Sequence, residues 1–495
     1  MRRALNNLKT STTLSGRFSR GVAWATIGTA LSQGIGLLVS IFCARMLGKV
    51  HFGEFGIIQS TIGLYGVFAG LWLGLGATKF VAEFKSEAPD RAGRIIGLSF
   101  MIAIISSLAV SMVLIATAPY LAQHVLNAPH LSTELAFVAG IIVLNVLDGV
   151  QVGVLSGFEA FGAIARTSII RSMVALPITV ALVWQWGLSG AVGSLAVIGF
   201  LNLWINHLAL RVQCRKFKVL ICWRSTREEL WSFVNFSTPA VCGGLLGAPV
   251  LWVANSMLVN TPSGYAQMGI YAIASQWRNA VMFLPRRFIS VALPIMSAEE
   301  NKSDEDSRCR EVFELTQRLS IAIVVPLVTL LLFSSHWVVK VYGESYNDAR
   351  LALMGMLLTT GITGFGAGGG PIVQAKGKMW FGFATNLIWS IIFLVAVKLS
   401  VANWGASGVT FGMALAYLVQ LIVTFYWLRE ELPEGTLLRA AAGSLLLFAI
   451  TALAIVATPM VSAIVLLFLS LVLVTVIFIY VRRKSTLIRV VAEIK

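Results

Sequence analysis

Residues 186–210 form the stretch WGLSGAVGSLAVIGFLNLWINHLAL, which contains no Lys, Arg, Asp or Glu and is followed by Arg211. A helix rises about 1.5 Å per residue, so this stretch is long enough to cross a hydrocarbon core of roughly 30 Å. A strand of a membrane β-barrel would be about 10 residues long and would alternate between polar and apolar side chains. The stretch is longer than such a strand and does not alternate in this way. It therefore predicts a membrane-spanning helix, which satisfies its backbone hydrogen bonds internally.

The whole chain repeats this pattern. Hydrophobic residues make up 57% of its 495 residues and charged residues 12%, whereas soluble domains average about 45–50% and about 25%. This composition excludes a soluble fold. Apolar runs of about 20 residues predict an all-α, polytopic membrane protein with about fourteen transmembrane helices. The predicted spans are residues 21–44, 57–77, 95–118, 136–155, 164–184, 187–210, 236–259, 270–296, 319–337, 351–373, 380–397, 405–428, 438–456 and 461–481.

The formal net charge of +16 is explained by topology rather than by nucleic acid. With the amino terminus in the cytoplasm, roughly 30 Lys and Arg lie on the inner side and about 5 on the outer side, as the positive-inside rule requires. Both termini are then cytoplasmic. The basic segment 211–227 has interleaved Phe217, Leu220, Ile221 and Trp223, which favours a position along the membrane surface where it could hold acidic headgroups.

An internal repeat organises the chain. The motif WGLSG at 186–190 recurs as WGASG at 404–408, 218 residues later, and Phe18-Ser19 recurs as Phe236-Ser237 at the same offset. Phe52-Gly53 nearly matches Met268-Gly269. A duplication with six helices per copy predicts two parallel lobes. The predicted segments are 1–20 (cytoplasmic), 21–210 (first lobe), 211–230 (basic linker), 231–429 (second lobe), 430–482 (a last helix pair) and 483–495 (cytoplasmic tail).

Several short motifs resemble those of a known family. These are Ala44-Arg45-Met46-Leu47-Gly48, Phe52-Gly53, Gly74-Leu75-Gly76-Ala77 and the pattern from Leu284-Pro285 to Leu293-Pro294. With the length, span count and repeat, they are similar to the polysaccharide and O-antigen flippases of the multidrug, oligosaccharidyl-lipid and polysaccharide exporter superfamily. The resemblance implies two alternately open six-helix lobes in a bacterial inner membrane. It also implies a polyprenyl-pyrophosphate-linked oligosaccharide as substrate, carried from the inner to the outer leaflet.

Two other functions stay open. A multidrug antiporter shares the fold, but cationic drugs favour carboxylates, and the spans hold more Arg than Asp or Glu. A membrane-bound glycan polymerase or glycosyltransferase would need paired carboxylates or a metal site on a long outer loop, and no such loop is predicted. The five cysteines show no CxxC spacing, so we expect no metal or redox cofactor. The sequence predicts a transporter, and a coupling ion, proton or sodium, stays a possibility.

Arg278 is the strongest candidate for a substrate-binding residue. It lies roughly 12–18 Å along the predicted eighth span, too deep for easy snorkelling. An Arg at this depth normally faces a polar cavity or an ion-pair partner. Arg286 lies nearer the Arg278 face than Arg287 does, because adjacent helical residues point about 100° apart. Either cavity lining by Arg286 or anchoring of both side chains at the inner surface fits the sequence.

Asp148 and Arg171 are candidates in the fourth and fifth spans. Both lie roughly 10–14 Å from the predicted cytoplasmic side. They predict a structural ion pair, with proton coupling by Asp148 and a substrate contact as alternatives. A separate feature is the tenth span, where Gly364, Gly366, Gly368–Gly370 and Pro371 predict a broken helix.

The topology can be tested with reporter fusions. Reporters after Lys9, within residues 211–227 and after Arg483 are expected to be cytoplasmic, and one after His130 external, because the basic residues stay inside. Paired phosphatase and fluorescent-protein fusions measure the side directly. An external carboxyl terminus would contradict an even number of spans and, with it, the parallel repeat.

Overall fold

The computed structural model describes residues 14–70, 73–223, 229–231, 246–299 and 305–456. Across these residues the regular structure is helical, with no strand, which confirms the predicted all-α class. The α-helices are α1 (Leu14–Gly70), α2 (Leu73–Phe84), α3 (Pro89–Tyr120), α4 (Ser132–Gly157), α5 (Phe161–Phe217), α6 (Gly247–Val259), α7 (Gly264–Glu299), α8 (Glu305–Lys340), α9 (Arg350–Phe365), α10 (Gly369–Ala375), α11 (Met379–Trp427) and α12 (Thr436–Val456).

Seven helices in the described part of the chain are long and apolar enough to cross a membrane, or eight if the bent pair α9–α10 is one span. Three of these helices, α1, α5 and α11, contain a sharp break at Gly48, Gly187 and Gly405 and so join two predicted spans each. Helix α7 is outside the apolar set, since polar side chains such as Arg278 lower its hydropathy. The count of fourteen is therefore not confirmed. The first part of the predicted span 236–259, up to residue 245, and the whole predicted span 461–481 lie outside the described residues.

The described residues divide into two compact units. The first comprises the residues up to Leu47 together with Glu54–Trp252, and the second comprises Gly48–Gly53 together with the residues from Val253 onward. In the first unit, α4 packs against α2, α3 and α5, and in the second, α9 packs against α7, α8, α11 and α12. The division after Trp252 falls inside α6, later in the chain than the linker predicted at 211–230.

The two WGxSG motifs form the same turn. Gly187 has φ 54° and ψ −127°, and Gly405 has φ 50° and ψ −129°. These angles match the first central position of a type II′ turn, which glycine adopts without strain. The last glycine of each motif also meets the preceding helix: a Cβ at Gly190 would lie 1.9 Å from the Leu182 carbonyl oxygen, and one at Gly408 would lie 2.9 Å from that of Ser400. The shared geometry supports the duplication.

Other glycines allow helices to meet backbone to backbone. A Cβ at Gly153 in α4 would lie 2.3 Å from the carbonyl oxygen of Gly74 in α2. Thr78 donates a hydrogen bond to the Gly153 carbonyl oxygen at 2.9 Å in the same contact. In the second unit, a Cβ at Gly53 would lie 2.9 Å from the amide nitrogen of Gly269. Small residues are the usual means of close helix packing in membranes, so these glycine motifs have a structural role.

The predicted break in the tenth span is confirmed. Helices α9 and α10 meet at an angle of 43°, and Gly368 at the break has φ 95°. The break frees carbonyl groups at the end of α9, and the Gln317 side chain donates a hydrogen bond to the Phe365 carbonyl oxygen at 2.8 Å. A side chain of α8 thus replaces a helical hydrogen bond that the break removes.

The turn geometry generates a stability prediction. Gly187→Ala is expected to destabilise the protein by about 1–3 kcal/mol, because alanine is strained at this φ and ψ, although nothing lies within 4 Å of the Cβ position. Gly193→Ala is the matched control, since Gly193 is helical and its Cβ position is equally open. The control is expected to be neutral or slightly stabilising. Thermal unfolding of the detergent-solubilised proteins measures both, and equal melting temperatures would contradict the strain.

Candidate functional site

The first candidate site surrounds Arg278 on α7. Its guanidinium lies over the Tyr417 ring of α11, with 5.2 Å between Cζ and the ring centroid, and its Nη1 lies 3.8 Å from the Met413 sulfur. The side chain is half-buried, and its Nε is buried without a hydrogen-bond partner. Among the described residues no carboxylate forms an ion pair with it. Among the described residues, the charge is therefore stabilised by a ring and a sulfur, both weak partners for a cation.

The hairpin of α11 holds Tyr417 in place. The turn at Gly405 folds the two halves of this helix together, and the Tyr417 ring lies 5.3 Å from the ring of Trp389 in the other half. Gln420 donates a hydrogen bond to the Asn386 side chain at 2.9 Å, which joins the same two halves one turn further on. The ring beneath Arg278 is thus fixed before any ligand binds.

Arg286 lies two turns after Arg278 on α7. It is exposed, its Nη2 donates a hydrogen bond to the Asn279 side chain at 3.2 Å, and it is close enough to Arg278 for the two cations to repel each other. Arg287 instead lies over the Phe283 ring, at 5.7 Å. The structure brings Arg278 and Arg286 into one electrostatic group, which has an excess of positive charge on α7.

The second candidate site surrounds Asp148 on α4. Asn206 of α5 donates a hydrogen bond to its Oδ1 at 2.7 Å, and Asn202 and Arg171 also act on the carboxylate. Within the described residues, Arg171 forms no ion pair with Asp148 at 4.0 Å or less, so the direct partner is an amide. The Oδ1 of Asn206 and the Oε1 of Gln151 are buried without hydrogen-bond partners, and these residues are 2% and 3% exposed.

The charged members of both sites were predicted from the sequence, whereas their partners Tyr417, Met413, Asn202 and Asn206 were not. Arg278 and Arg286 lie in the second unit, and Asp148 and Arg171 in the first. Nothing in the sequence distinguishes Tyr417 as a site residue, because aromatic residues are common in membrane spans. Asn202 and Asn206 could have been found, since two Asn at i and i+4 mark a polar face on an otherwise apolar helix. Among the described residues, no three His, Cys, Asp or Glu side chains come together as a metal site would need.

Helical spans with isolated intramembrane charges and a broken helix define the class of polytopic membrane transporters. The family of polysaccharide biosynthesis proteins matches residues 18–299. The EPS I polysaccharide export inner membrane protein EpsE of Ralstonia nicotianae (strain ATCC BAA-1114 / GMI1000) is 23% identical over 424 residues, which cover 83% of this chain and 94% of that protein.

The lipid III flippase of Escherichia coli (strain K12) is 21% identical over 407 residues, 81% of this chain and 95% of that protein. Among solved structures, the lipid II flippase MurJ in an inward closed conformation superposes with a TM-score of 0.70 and 14% identity, and the match covers 93% of this chain and 99% of that one. The chain belongs to the polysaccharide biosynthesis protein family. The relatives named above are an exporter and a flippase, and this chain shares the fold of the lipid II flippase.

Proposed function

We propose that the protein flips polyprenyl-pyrophosphate-linked oligosaccharide repeat units from the cytoplasmic to the outer leaflet by alternating access. The units would be used to assemble a surface polysaccharide, an O-antigen, capsule or exopolysaccharide. The observation that carries the proposal is the Arg278 guanidinium, which is half-buried on α7, the predicted eighth span, and has no described carboxylate partner. An anionic substrate would supply the missing partner.

The chemistry of the Arg278 site fits a pyrophosphate. A guanidinium binds phosphate oxygens through two parallel hydrogen bonds. Among the described residues, Nη1 of Arg278 contacts the Met413 sulfur, and its Nε has no hydrogen-bond partner but is covered by protein atoms in this conformation. The Tyr417 ring occupies one face of the guanidinium, which leaves its edge for the substrate. Arg286 adds a second positive charge on the same helix. A site for cationic drugs would place a carboxylate here.

Asp148 is the candidate residue for binding a coupling cation, which we propose to be a proton or sodium. A carboxylate in a membrane span is costly and is kept for pairing or for ion coupling. Its neighbour Asn206 leaves one amide oxygen without a partner, as does Gln151 one turn along α4. Oxygen atoms of this kind can accept a hydrogen bond from a protonated carboxyl group or coordinate a hard cation. Arg171 would limit this affinity through its own positive charge.

Arg278 is tested by substitution in a strain that depends on this protein for surface polysaccharide. Arg278→Ala is expected to reduce export by about tenfold or more, since a charge-assisted hydrogen bond contributes about 1.5–3 kcal/mol. Arg278→Lys is expected to retain part of the activity, because lysine keeps the charge and loses the planar fork. Surface polysaccharide and lipid-linked repeat units on the cytoplasmic leaflet are measured together.

Three variants control this experiment. Arg287→Ala removes a neighbouring charge and is expected to be milder. Tyr417→Phe keeps the ring beneath Arg278 and is expected to export normally, whereas Tyr417→Leu removes the ring and is expected to be impaired. Full export by Arg278→Ala, or loss of the protein from the membrane, would exclude a substrate contact and leave a structural role.

Asp148 is tested with a variant that keeps its shape. Asp148→Asn is expected to lower export while the melting temperature stays nearly unchanged, because an amide can still hydrogen-bond to Asn206 but cannot carry a proton or neutralise sodium. Export measured with a protonophore, or in sodium-free medium, distinguishes the two ions. If the variant unfolds, Asp148 and Arg171 form a structural charge pair, and if it exports normally, Asp148 has no coupling role.

A further inference from the structure

A basic groove lies at the carboxyl end of α5 and begins at His207, one residue after Asn206 of the Asp148 site. His207, Arg211 and Arg215 follow one another at intervals of four residues, so they lie along one face of the helix, and Lys218 directly follows its last residue. They line a cavity of about 520 Å³ together with Leu210, Cys214, Val219, Leu220 and Ile221. The cavity has cations on the helix side and apolar side chains on the side of the segment that follows.

The end of α5 produces this arrangement. Lys218 adopts a left-handed conformation, with φ 55° and ψ 31°, and the Val219 amide donates a hydrogen bond to the Cys214 carbonyl oxygen at 2.9 Å. This is the usual way in which a helix ends and its chain reverses. Residues 219–222 then run back beside the last turns of α5 and form the second wall of the groove.

Two glycines of α3 hold that second wall. The Cys222 amide donates a hydrogen bond to the Gly93 carbonyl oxygen at 3.2 Å. A Cβ at Gly93 would lie 1.9 Å from the Leu220 carbonyl oxygen, and one at Gly97, a turn later, would lie 2.0 Å from that of Cys222. The segment therefore packs directly on the α3 backbone. This contact turns the Leu220 side chain outward, where it is 78% exposed, and leaves Trp223 59% exposed.

Within the described residues, the cations of the groove have no counter-ions. Arg211, Arg215 and Lys218 are exposed, and none of them forms an ion pair with a carboxylate in the part of the chain that the structure describes. Basic residues at a helix carboxyl end also complement the helix dipole and follow the positive-inside rule. Neither explanation requires a cavity or an exposed Leu220 and Trp223 beside it. An amphiphile with an anionic head requires both.

We propose that this groove binds the headgroup of an anionic phospholipid of the cytoplasmic leaflet. Its phosphate would lie between Arg211, Arg215 and Lys218, and its acyl chains would cover Leu220 and the adjacent apolar wall. Anionic lipid is attracted to a juxtamembrane basic segment by about 1 kcal/mol per Lys or Arg. This assignment requires the segment to lie on the cytoplasmic side of the membrane, as the positive-inside rule predicts. It does not depend on which substrate the protein carries.

Native mass spectrometry of the full-length protein tests the proposal. The wild type is expected to retain phosphatidylglycerol in preference to phosphatidylcholine. The double variant Arg211→Gln/Arg215→Gln is expected to bind phosphatidylglycerol roughly tenfold or more weakly, from the loss of two charges, with phosphatidylcholine unchanged. Arg429→Gln is the matched control, because Arg429 follows the repeat-related span as Arg211 follows its own and lies outside the groove. It is expected to bind like the wild type.

Two further variants alter the apolar wall of the groove and leave its basic residues in place. Leu220→Glu alters an exposed position, so folding is expected to be unaffected, yet it places a negative charge where the acyl chains would lie. Gly93→Ala keeps every charge and displaces the wall. Both are expected to lose the preference for phosphatidylglycerol. Equal binding of the two lipids by the wild type would overturn the proposal, as would binding of phosphatidylglycerol by the double variant at the wild-type level. It would also be overturned if undecaprenyl pyrophosphate, but not added phosphatidylglycerol, displaced the bound lipid.

Discussion

The hydrocarbon interior of a membrane offers no water to a polar group, and this constraint governs most of the structure. Every backbone amide must find a partner within the protein, so the chain folds as helices and compensates at the positions where a helix breaks. Gln317 does so at the break between α9 and α10 by donating to the Phe365 carbonyl oxygen. The same constraint makes each intramembrane charge informative, because a charge without a function would be lost at little cost to folding.

The constraint also explains why glycine matters more here than in a soluble protein. Lipid is as apolar as leucine, so burying side chains between helices contributes little, and close backbone contact contributes more. Gly74 and Gly153 meet where α2 crosses α4, and Gly190 and Gly408 each bring a helix against the one before it. A motif such as Gly74-Leu75-Gly76-Ala77 can therefore mark a family through helix packing alone, without any contact with substrate.

Much of the fold could be predicted, because hydropathy and helix-breaking residues are local properties. The paired spans around Gly187 and Gly405 and the break near Gly368 follow from residues in the stretches themselves. Helix α5 continues to Phe217, beyond the predicted end of the sixth span at Leu210, because basic residues mark the membrane surface and not the end of a helix. The charged residues of both sites were also identifiable. Their partners Tyr417 and Asn206 depend on which helices pack together, which no local pattern contains.

The two candidate sites differ in how their charges are compensated. Asp148 is held by an amide and lies near a cation, Arg171, so the first unit can keep this charge without a ligand. Among the described residues, Arg278 contacts a ring and a sulfur, and a second cation, Arg286, repels it. A guanidinium under such conditions raises the free energy of the empty protein, and an anion that binds there recovers that energy. The less compensated charge is therefore the better candidate for contact with an anionic substrate, and the better compensated one for a cation that binds and leaves in each cycle.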